Sequence, residues 1–590
     1  MLTAWLQVAL LVAVVVAIVP LLGGYMARVF AGERVLLSPV LAPVERLTLR
    51  VLRVRRSDDG SGEAVPQDWK RYARSVIVFS FASWLALYAL LRLQSVLPGN
   101  PLELGAAPWD VTFNTTSSFV ANTNWQYYAG ETTLSYVAQM TGLAVQNFLS
   151  AAVGLAVAIA VIRGIAGRSV GTLGNFWVDL TRALLYVLLP IATIGALLLV
   201  GQGVIQTLGG PITVETLVGG SQTLARGPVA SQEAIKLLGT NGGGFFNVNS
   251  AMPFENPTGF SNLLQMLLVL MIPASLTATY GRMVGNRRQG WALLGAMTVM
   301  FLALVVVGTL AEQAGSPAQH AAGISTAAID GSTGGNLVGK EQRFGPAGSA
   351  LFGTVTTATS TGAVNASMES MTGIGGLVPM VAMGTGEVIF GGVGSGLYGM
   401  LVFVLLAVFV GGLMVGRTPE LHGKKIEARE IKLAMLGALY MPITVLVTTA
   451  LAVGTDHGRV SNAASGPQGF SESFYAYLSQ GNNNGSAFAG YTGFVQPNGT
   501  NEGAFGITFA DLLGGLSMLF VRFFPIVIML ALAGSLARKR VAPAGPGTLR
   551  TDSPTFVVLL IGVIVLVGAL TFFPAFLLGP VVQAASGRLF

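Results

Sequence analysis

The stretch KLLGTNGGGFFN, Lys236 to Asn247, sits between two long apolar runs and sets Gly242, Gly243 and Gly244 side by side. Glycine is the poorest ordinary helix former and brings nothing to a core. Three in a row, inside sequence otherwise suited to lipid, call for backbone that leaves the helix at membrane depth. The rest of the chain supplies the setting. Its 590 residues are 52% hydrophobic and 10% charged, with a mean hydropathy of +0.66 and no Cys. Soluble domains carry about 25% charged residues, so this is the composition of a membrane protein. Without Cys, disulfides and thiolate metal sites are excluded.

Apolar runs of about 20 residues, enough for a helix to cross a bilayer, lie near 3–23, 75–95, 138–162, 177–200, 262–283, 290–311, 397–416, 432–453, 509–534 and 555–578. They predict an all-α polytopic protein with about ten transmembrane helices. The first run lacks the basic leader and short apolar core of a signal peptide. A net charge of +7 would suit nucleic acid, but the charges are in the wrong places for it. Arg28, Arg34, Arg46, Arg50, Arg53, Arg55, Arg56, Lys70, Arg71 and Arg74 follow the first run, and Arg163 and Arg168 the third. Arg282, Arg287 and Arg288 follow the fifth, GRTPELHGKKIEAREIK the seventh and RKRVAPAGPGTLR the ninth. The loops between are nearly free of Lys and Arg: residues 96–136 have none and 454–508 only Arg459. Basic short loops mark the cytoplasmic side, which puts both termini on the opposite side.

Each weakly charged loop carries a short apolar segment and then a polar turn. The four read TTSSFVANTNWQ, QEAIKLLGTNGGGFFN, SALFGTVTTATSTGAVNAS and ESFYAYLSQGNNNGSAFAG. Their centres, Asn124, Gly242, Gly362 and Gly485, are 118, 120 and 123 residues apart. A unit of span, re-entrant hairpin, span and cytoplasmic loop therefore repeats four times, leaving the first and last helices outside it. Periods this long are not those of solenoids; they suit four pseudo-equivalent units around one pore.

The glycines follow from that arrangement. Non-helical backbone survives at membrane depth only when buried in protein or lining a watery cavity. Four turns meeting on an axis would aim carbonyl oxygens at its centre, with Thr and Asn adding side-chain oxygens. Oxygen rings that replace a hydration shell select potassium, and short helices before the turns would point negative C-terminal ends at the cation. The candidate filter residues are Asn122, Thr123 and Asn124; Thr240, Asn241, Gly242 and Gly243; Ser360, Thr361 and Gly362; and Asn483, Asn484 and Gly485. An ordinary Gly/Asn-rich surface loop would explain any one turn, but not four at matched spacing.

Five strings carry a family resemblance: NTNWQ (122–126), GTNGGGFFN (239–247), GEVIFGGVGSGLYG (386–399), GRTPE followed by GKKI (416–426), and NNNGSAFAG (482–490). Over nearly the whole chain they resemble the potassium-binding A subunits of the Kdp potassium-transporting ATPases, the KdpA family of the potassium transporter superfamily. The resemblance implies that K+ is the transported ligand and that the setting is the inner (plasma) membrane of a bacterium or archaeon. It further implies a P-type ATPase partner subunit, with small accessory membrane subunits (B, C and F). One departure stands in the third turn, where Thr361 precedes Gly362 and the family often has Cys.

No nucleotide site is legible in the chain. Gly334 to Lys340 imitates a phosphate loop, but Glu341 stands where Ser or Thr is needed. Gly394, Gly396 and Gly399 have dinucleotide spacing with no strand before them; a closely packed or broken helix is the better reading. The aspartyl-phosphate signature of a P-type pump is absent too, so a partner is expected to hydrolyse ATP. Arg522 falls inside the ninth span, where a cation costs roughly 2.5–3.5 kcal/mol. A positive charge at the pore bottom would divert potassium sideways, and the resemblance implies a tunnel into the ATPase subunit. Asp179 and Arg182, one turn apart, are expected to pair. Gln126 is expected to brace the filter, Trp125 to anchor at the interface, and Glu369 to sit at the mouth as attractor or solvated carboxylate. The Gly-rich segment at roughly 370–396 predicts an interrupted helix and a gate below the filter. Arg417, Lys424 and Lys425 are candidates for docking the ATPase partner.

The expected division is an extra helix (1–27), a basic loop (28–74), repeats at 75–168, 169–288, 289–431 (with cytoplasmic loop 416–431) and 432–537, a linker (538–553) and a last helix (554–590). A stand-alone potassium channel or symporter of the same superfamily shares the four-hairpin plan. A secondary transporter of organic solutes would instead show inverted repeats and ionisable groups at the midplane.

Overall fold

A computed structural model describes residues 2–57, 63–329, 333–414, 416, 418–493, 508–543 and 549–586. Among them are ten helices long and apolar enough to span a membrane. In chain order the principal helices are α1 (Leu2–Ala31), α2 (Ser38–Val51), α3 (Trp69–Arg92), α4 (Trp109–Val120), α5 (Ala138–Ala166), α6 (Phe176–Gly201), α7 (Val229–Leu238) and α8 (Gly259–Met283). There follow α9 (Arg287–Ala314), α10 (Gly345–Ala358), α11 (Gly373–Gly384), α12 (Ser395–Met414), α13 (Ala428–Gly454), α14 (Gly466–Gln480), α15 (Phe509–Ala537) and α16 (Pro554–Phe576). Side chains start several of them: Asp68 accepts from Arg71 N, Asn286 from Gln289 N, and Thr258 and Ser261 cap α8 reciprocally.

The order span, short helix, span recurs as α3–α4–α5, α6–α7–α8, α9–α10–α11/α12 and α13–α14–α15. Burial separates two rings. In an apolar stretch of 18 residues from each, the second spans α5, α8, α12 and α15 are 83, 72, 61 and 67% buried, against 22, 39, 50 and 39% for the first spans α3, α6, α9 and α13. The second spans therefore form the inner ring, and α1 and α16, each 28% buried, lie outside it. α1 is held along α8 where a Cβ on Gly23 would touch Ala278, and the Thr279 hydroxyl donates to Gly23 O at 3.1 Å.

Two small hairpins break the helical pattern: β1 (Ile212–Glu215) with β2 (Ser221–Leu224), and β3 (Glu420–Leu421) with β4 (Lys424–Lys425). Two expectations need correcting. Asp179 pairs not with Arg182 but with Arg163, which grips it at 2.6 and 2.9 Å while Tyr72 donates to it at 3.0 Å. Arg182 instead meets Glu45 of α2 at 2.8 Å. Trp125 is buried at 2% exposure, stacked edge-on against Tyr127, and anchors no interface.

Candidate functional site

The four short helices α4, α7, α10 and α14 have 12, 10, 14 and 15 residues. At about 1.5 Å per residue none can cross a bilayer. Each ends directly before a polar turn and presents its C-terminal, partly negative end to it. One equivalent position is left-handed in all four turns: Asn122 (φ 69°), Thr240 (51°), Ser360 (53°) and Asn483 (56°). These four residues share the 118-, 120- and 123-residue offsets of the repeat. Few non-glycine residues take that conformation, so its recurrence marks one backbone design used four times.

The next equivalent position is Thr123, Asn241, Thr361 and Asn484, and its carbonyls converge. A Cβ built on Gly242 would lie 2.6, 2.7 and 2.8 Å from the carbonyl oxygens of Thr123, Asn484 and Thr361. The fourth carbonyl, of Asn241, belongs to the peptide that enters Gly242. A Cβ built on Gly243 would in turn lie 2.7 Å from the Asn124 carbonyl oxygen and 2.8 Å from Gln126 Oε1. Gly242 is therefore required, because any side chain there would occupy the space between the carbonyls, and a side chain on Gly244 would instead strike the buried Lys236, Asn249 and Glu255.

Side chains of the left-handed residues tie the turns together. Asn122 donates to Thr240 O at 2.9 Å, and Asn241 returns a bond to Asn122 Oδ1 at 2.9 Å. The Thr240 hydroxyl accepts from Val393 N at 3.0 Å, in the segment between α11 and α12. Ser360 donates to Asn483 O at 3.1 Å, and Asn483 donates to Thr123 Oγ1 at 2.8 Å. Turns one and two, three and four, and four and one are thus joined directly, while turn two reaches the third unit through the segment between α11 and α12. Gln126 reinforces the first link by accepting from Gly244 N at 3.0 Å.

Above the ring a vestibule of about 670 Å³ is lined by Asn124, Gln126, Gly243, Gly362 and Gly485 among others. Below it a cavity of about 50 Å³ lies between Ser360, Asn483, Glu387, Tyr398, Tyr440 and Arg522. The Arg522 guanidinium donates to Ser150 O at 2.8 Å. A second cavity of about 40 Å³ shares Gly386, Gly399, Gly437 and Tyr440 with the first and reaches Val567 and Thr571 of the last helix.

The interrupted helix is present, broken at residues 385–394 between α11 and α12. A Cβ on Gly394 (φ 88°) would strike the Gly154 carbonyl, which fixes the crossing of this segment over α5. Glu387 lies in the break, buried, and accepts from Asn484 at 2.8 Å; sequence reasoning passed over it, although a lone carboxylate in GEVIFGG was its signal. Lys236, also missed, is fully buried behind the second turn and held by Glu233 at 2.7 Å and Glu255 at 3.2 Å.

Of the docking candidates, Arg417 lies outside the described residues and Lys425 is exposed. Lys424 is corrected: it is 1% exposed and donates to Gly164 O at 3.0 Å and Leu536 O at 2.8 Å, two helix C-terminal carbonyls, leaving no face for a partner. Burial first, and Arg168 second, bring its ammonium down to about 8. Glu369 is not simply solvated. It accepts from Gly490 N at 2.6 Å and abuts Glu472, whose carboxyl burial and the Glu369 contact push up to about 8.

Fold and ring together define a class: polytopic membrane proteins in which four re-entrant hairpins surround a carbonyl-lined constriction. The profile of the family described as Potassium-transporting ATPase A subunit matches residues 9–585. The potassium-transporting ATPase potassium-binding subunit of Methylobacterium nodulans is 55% identical over 586 residues, covering 99% of this chain and 98% of that one. Its counterparts in Sorangium cellulosum (55% over 587 residues, 98% of each chain) and Brucella anthropi (53% over 579 residues, 98% and 97%) are similar. The chain belongs to the potassium-transporting ATPase A subunit family. Among solved structures, the crystal structure of the potassium transporter TrkH from Vibrio parahaemolyticus shares the fold, with a TM-score of 0.50 at 13% identity over 87% of this chain and 97% of that one.

Proposed function

We propose that this chain is the potassium-binding and potassium-translocating subunit of an ATP-driven uptake pump. Thr123, Asn241, Thr361 and Asn484 would offer the carbonyl ring to a dehydrated K+, with the residues beside them (Asn122 and Asn124, Thr240, Gly242 and Gly243, Ser360 and Gly362, Asn483 and Gly485) shaping it and Gln126 bracing it. The convergence of three of those carbonyls on Gly242 carries the reading, because a neutral oxygen cage suits a monovalent cation, whereas a divalent one wants carboxylates. The weakly charged loops would face outside the cytoplasm, so K+ would enter from the vestibule and meet the negative ends of the four short helices.

Beneath the ring, Arg522 would repel a cation from the straight path, and Glu387 and the break at 385–394 lie beside it as a gate and lateral exit toward α16. A P-type ATPase subunit, with accessory subunits, would receive the ion and spend the ATP, and Lys425 remains available to dock it. The test is ATP hydrolysis by whatever co-purifies with this chain in mild detergent, titrated with potassium and then sodium. Stimulation by potassium alone, lost or made indifferent to the two ions by Gly242→Asp, is the expected result. Potassium flux through the chain alone in liposomes, with no co-purifying ATPase, would transfer the case to a stand-alone channel.

A further inference from the structure

Helix α2 has no place in the repeat and no role in the pore. It is 14 residues long, too short to span, and begins seven residues after α1 ends. Val40, Val44, Leu47 and Val51 fall on one helical face, and all are exposed, at 72, 43, 59 and 72%. On the adjoining side Leu41 packs against the small cluster of Val29, Val35 and Tyr186. Glu45 joins that side, bound by Arg182 at 2.8 Å and by the Tyr186 hydroxyl at 2.9 Å. These bonds fix the roll of the helix, so its apolar stripe is turned away from the protein by construction.

The flank of the stripe and the chain around it are basic. Arg34, Arg46, Arg50, Arg53, Arg55 and Arg56 are all exposed, while the carboxylate of Glu45 is already neutralised. Leu189, three residues beyond Tyr186 on α6, is also exposed. A short helix with an apolar face and arginines at its edge is the form of an interfacial anchor, and juxtamembrane arginine clusters attract anionic headgroups. We infer that α2 lies in the membrane interface, with Val40, Val44, Leu47 and Val51 in the acyl boundary and the arginines on the phosphates of anionic phospholipids. It is bound to α6 through Glu45 and packs with Val29 of α1 through Leu41, and makes lipid charge a part of the fold's outer fastening.

The absence of Cys allows a clean test. Leu47→Cys and, as the protein-facing control, Leu41→Cys would be spin-labelled in the intact complex in nanodiscs of phosphatidylcholine with or without about 30% phosphatidylglycerol. The Leu47 label is expected to collide freely with oxygen and poorly with a water-soluble nickel chelate, and the Leu41 label with neither. Replacing Arg46, Arg50, Arg53 and Arg55 by Gln should lower the oxygen-to-nickel ratio at Leu47 at least twofold in the anionic nanodiscs and leave it unchanged in the neutral ones. Free access of nickel to Leu47 would overturn the inference. So would shielding from both probes in the complex but not in the chain alone, which would show the ATPase partner to be the occupant. Indifference to phosphatidylglycerol would overturn the anionic part.

Discussion

At equivalent positions the four turns repeat one another: Asn122, Thr240, Ser360 and Asn483 all take φ between 51° and 69°. Beneath them the repetition fails. α5, α8 and α15 run unbroken for 29, 25 and 29 residues, whereas the third unit stops at Gly384 and restarts at Ser395. The difference separates two demands on one repeat. Carbonyls must meet on a shared axis, so a turn that departed from the others at this one shared position would carry its next carbonyl off the axis. The spans below carry no such joint constraint, and one of them gives up its hydrogen-bond ladder where Glu387 and Arg522 gather. Symmetry marks where an ion would be held, and its loss marks where the path would bend.

Substitutions can break or sharpen that contrast. The strongest test of equivalence is Gly362→Ala, which sets a side chain at φ 91° against the Asn484 carbonyl and 2.7 Å from Ser486 N. The half-saturating potassium concentration for ATP hydrolysis should rise about 100-fold, close to 2.8 kcal/mol of lost coordination; no change would exclude the third turn from the ring. Gly394→Ala probes the broken span, where φ 88° and the Gly154 carbonyl leave no room, and thermal unfolding in detergent should show about 2–3 kcal/mol of lost stability. Gly399→Ala, whose nearest neighbour is Val388 Cγ1 at 3.4 Å, is the matched control and should change little.

A smaller effect is expected at the Glu369–Glu472 contact. Because the Glu472 carboxyl is raised from 4.5 to about 8, the folded chain holds a proton there that the unfolded chain releases. Stability should therefore fall as pH climbs through that window, and Glu472→Gln should flatten the slope in unfolding measured across it. Smallest of all, Thr361→Cys should alter potassium half-saturation less than about twofold. The ring uses the Thr361 carbonyl, and its hydroxyl only meets Thr359 Oγ1 at 2.8 Å.

Much of this was legible from sequence because apolar length and a period near 120 residues are one-dimensional signals. The runs at 138–162 and 555–578 appear as Ala138–Ala166 and Pro554–Ser586, and the four turns fall at the four short-helix ends. What escaped depended on partners far away in the chain. Asp179 and Arg182 looked like a pair, but Arg163 and Glu45 reach them first. Lys424 looked like surface because nothing local shows that two helix ends, 260 and 112 residues away, close over it. α2 was hidden inside a loop whose arginines drew attention to charge and away from the valine stripe.

The side-chain bonds that join the turns run from the third through the fourth and first to the second, which is tied back to the third unit at Val393. A single turn cannot tighten around a smaller ion alone, because Asn122, Ser360 and Asn483 each hold the neighbouring turn at its present distance. Shrinkage would have to move neighbouring turns together and would carry the cost of each link between them. Under the proposed function, discrimination against sodium would then be a collective stiffness, and loosening one link should blur ion choice before it abolishes binding.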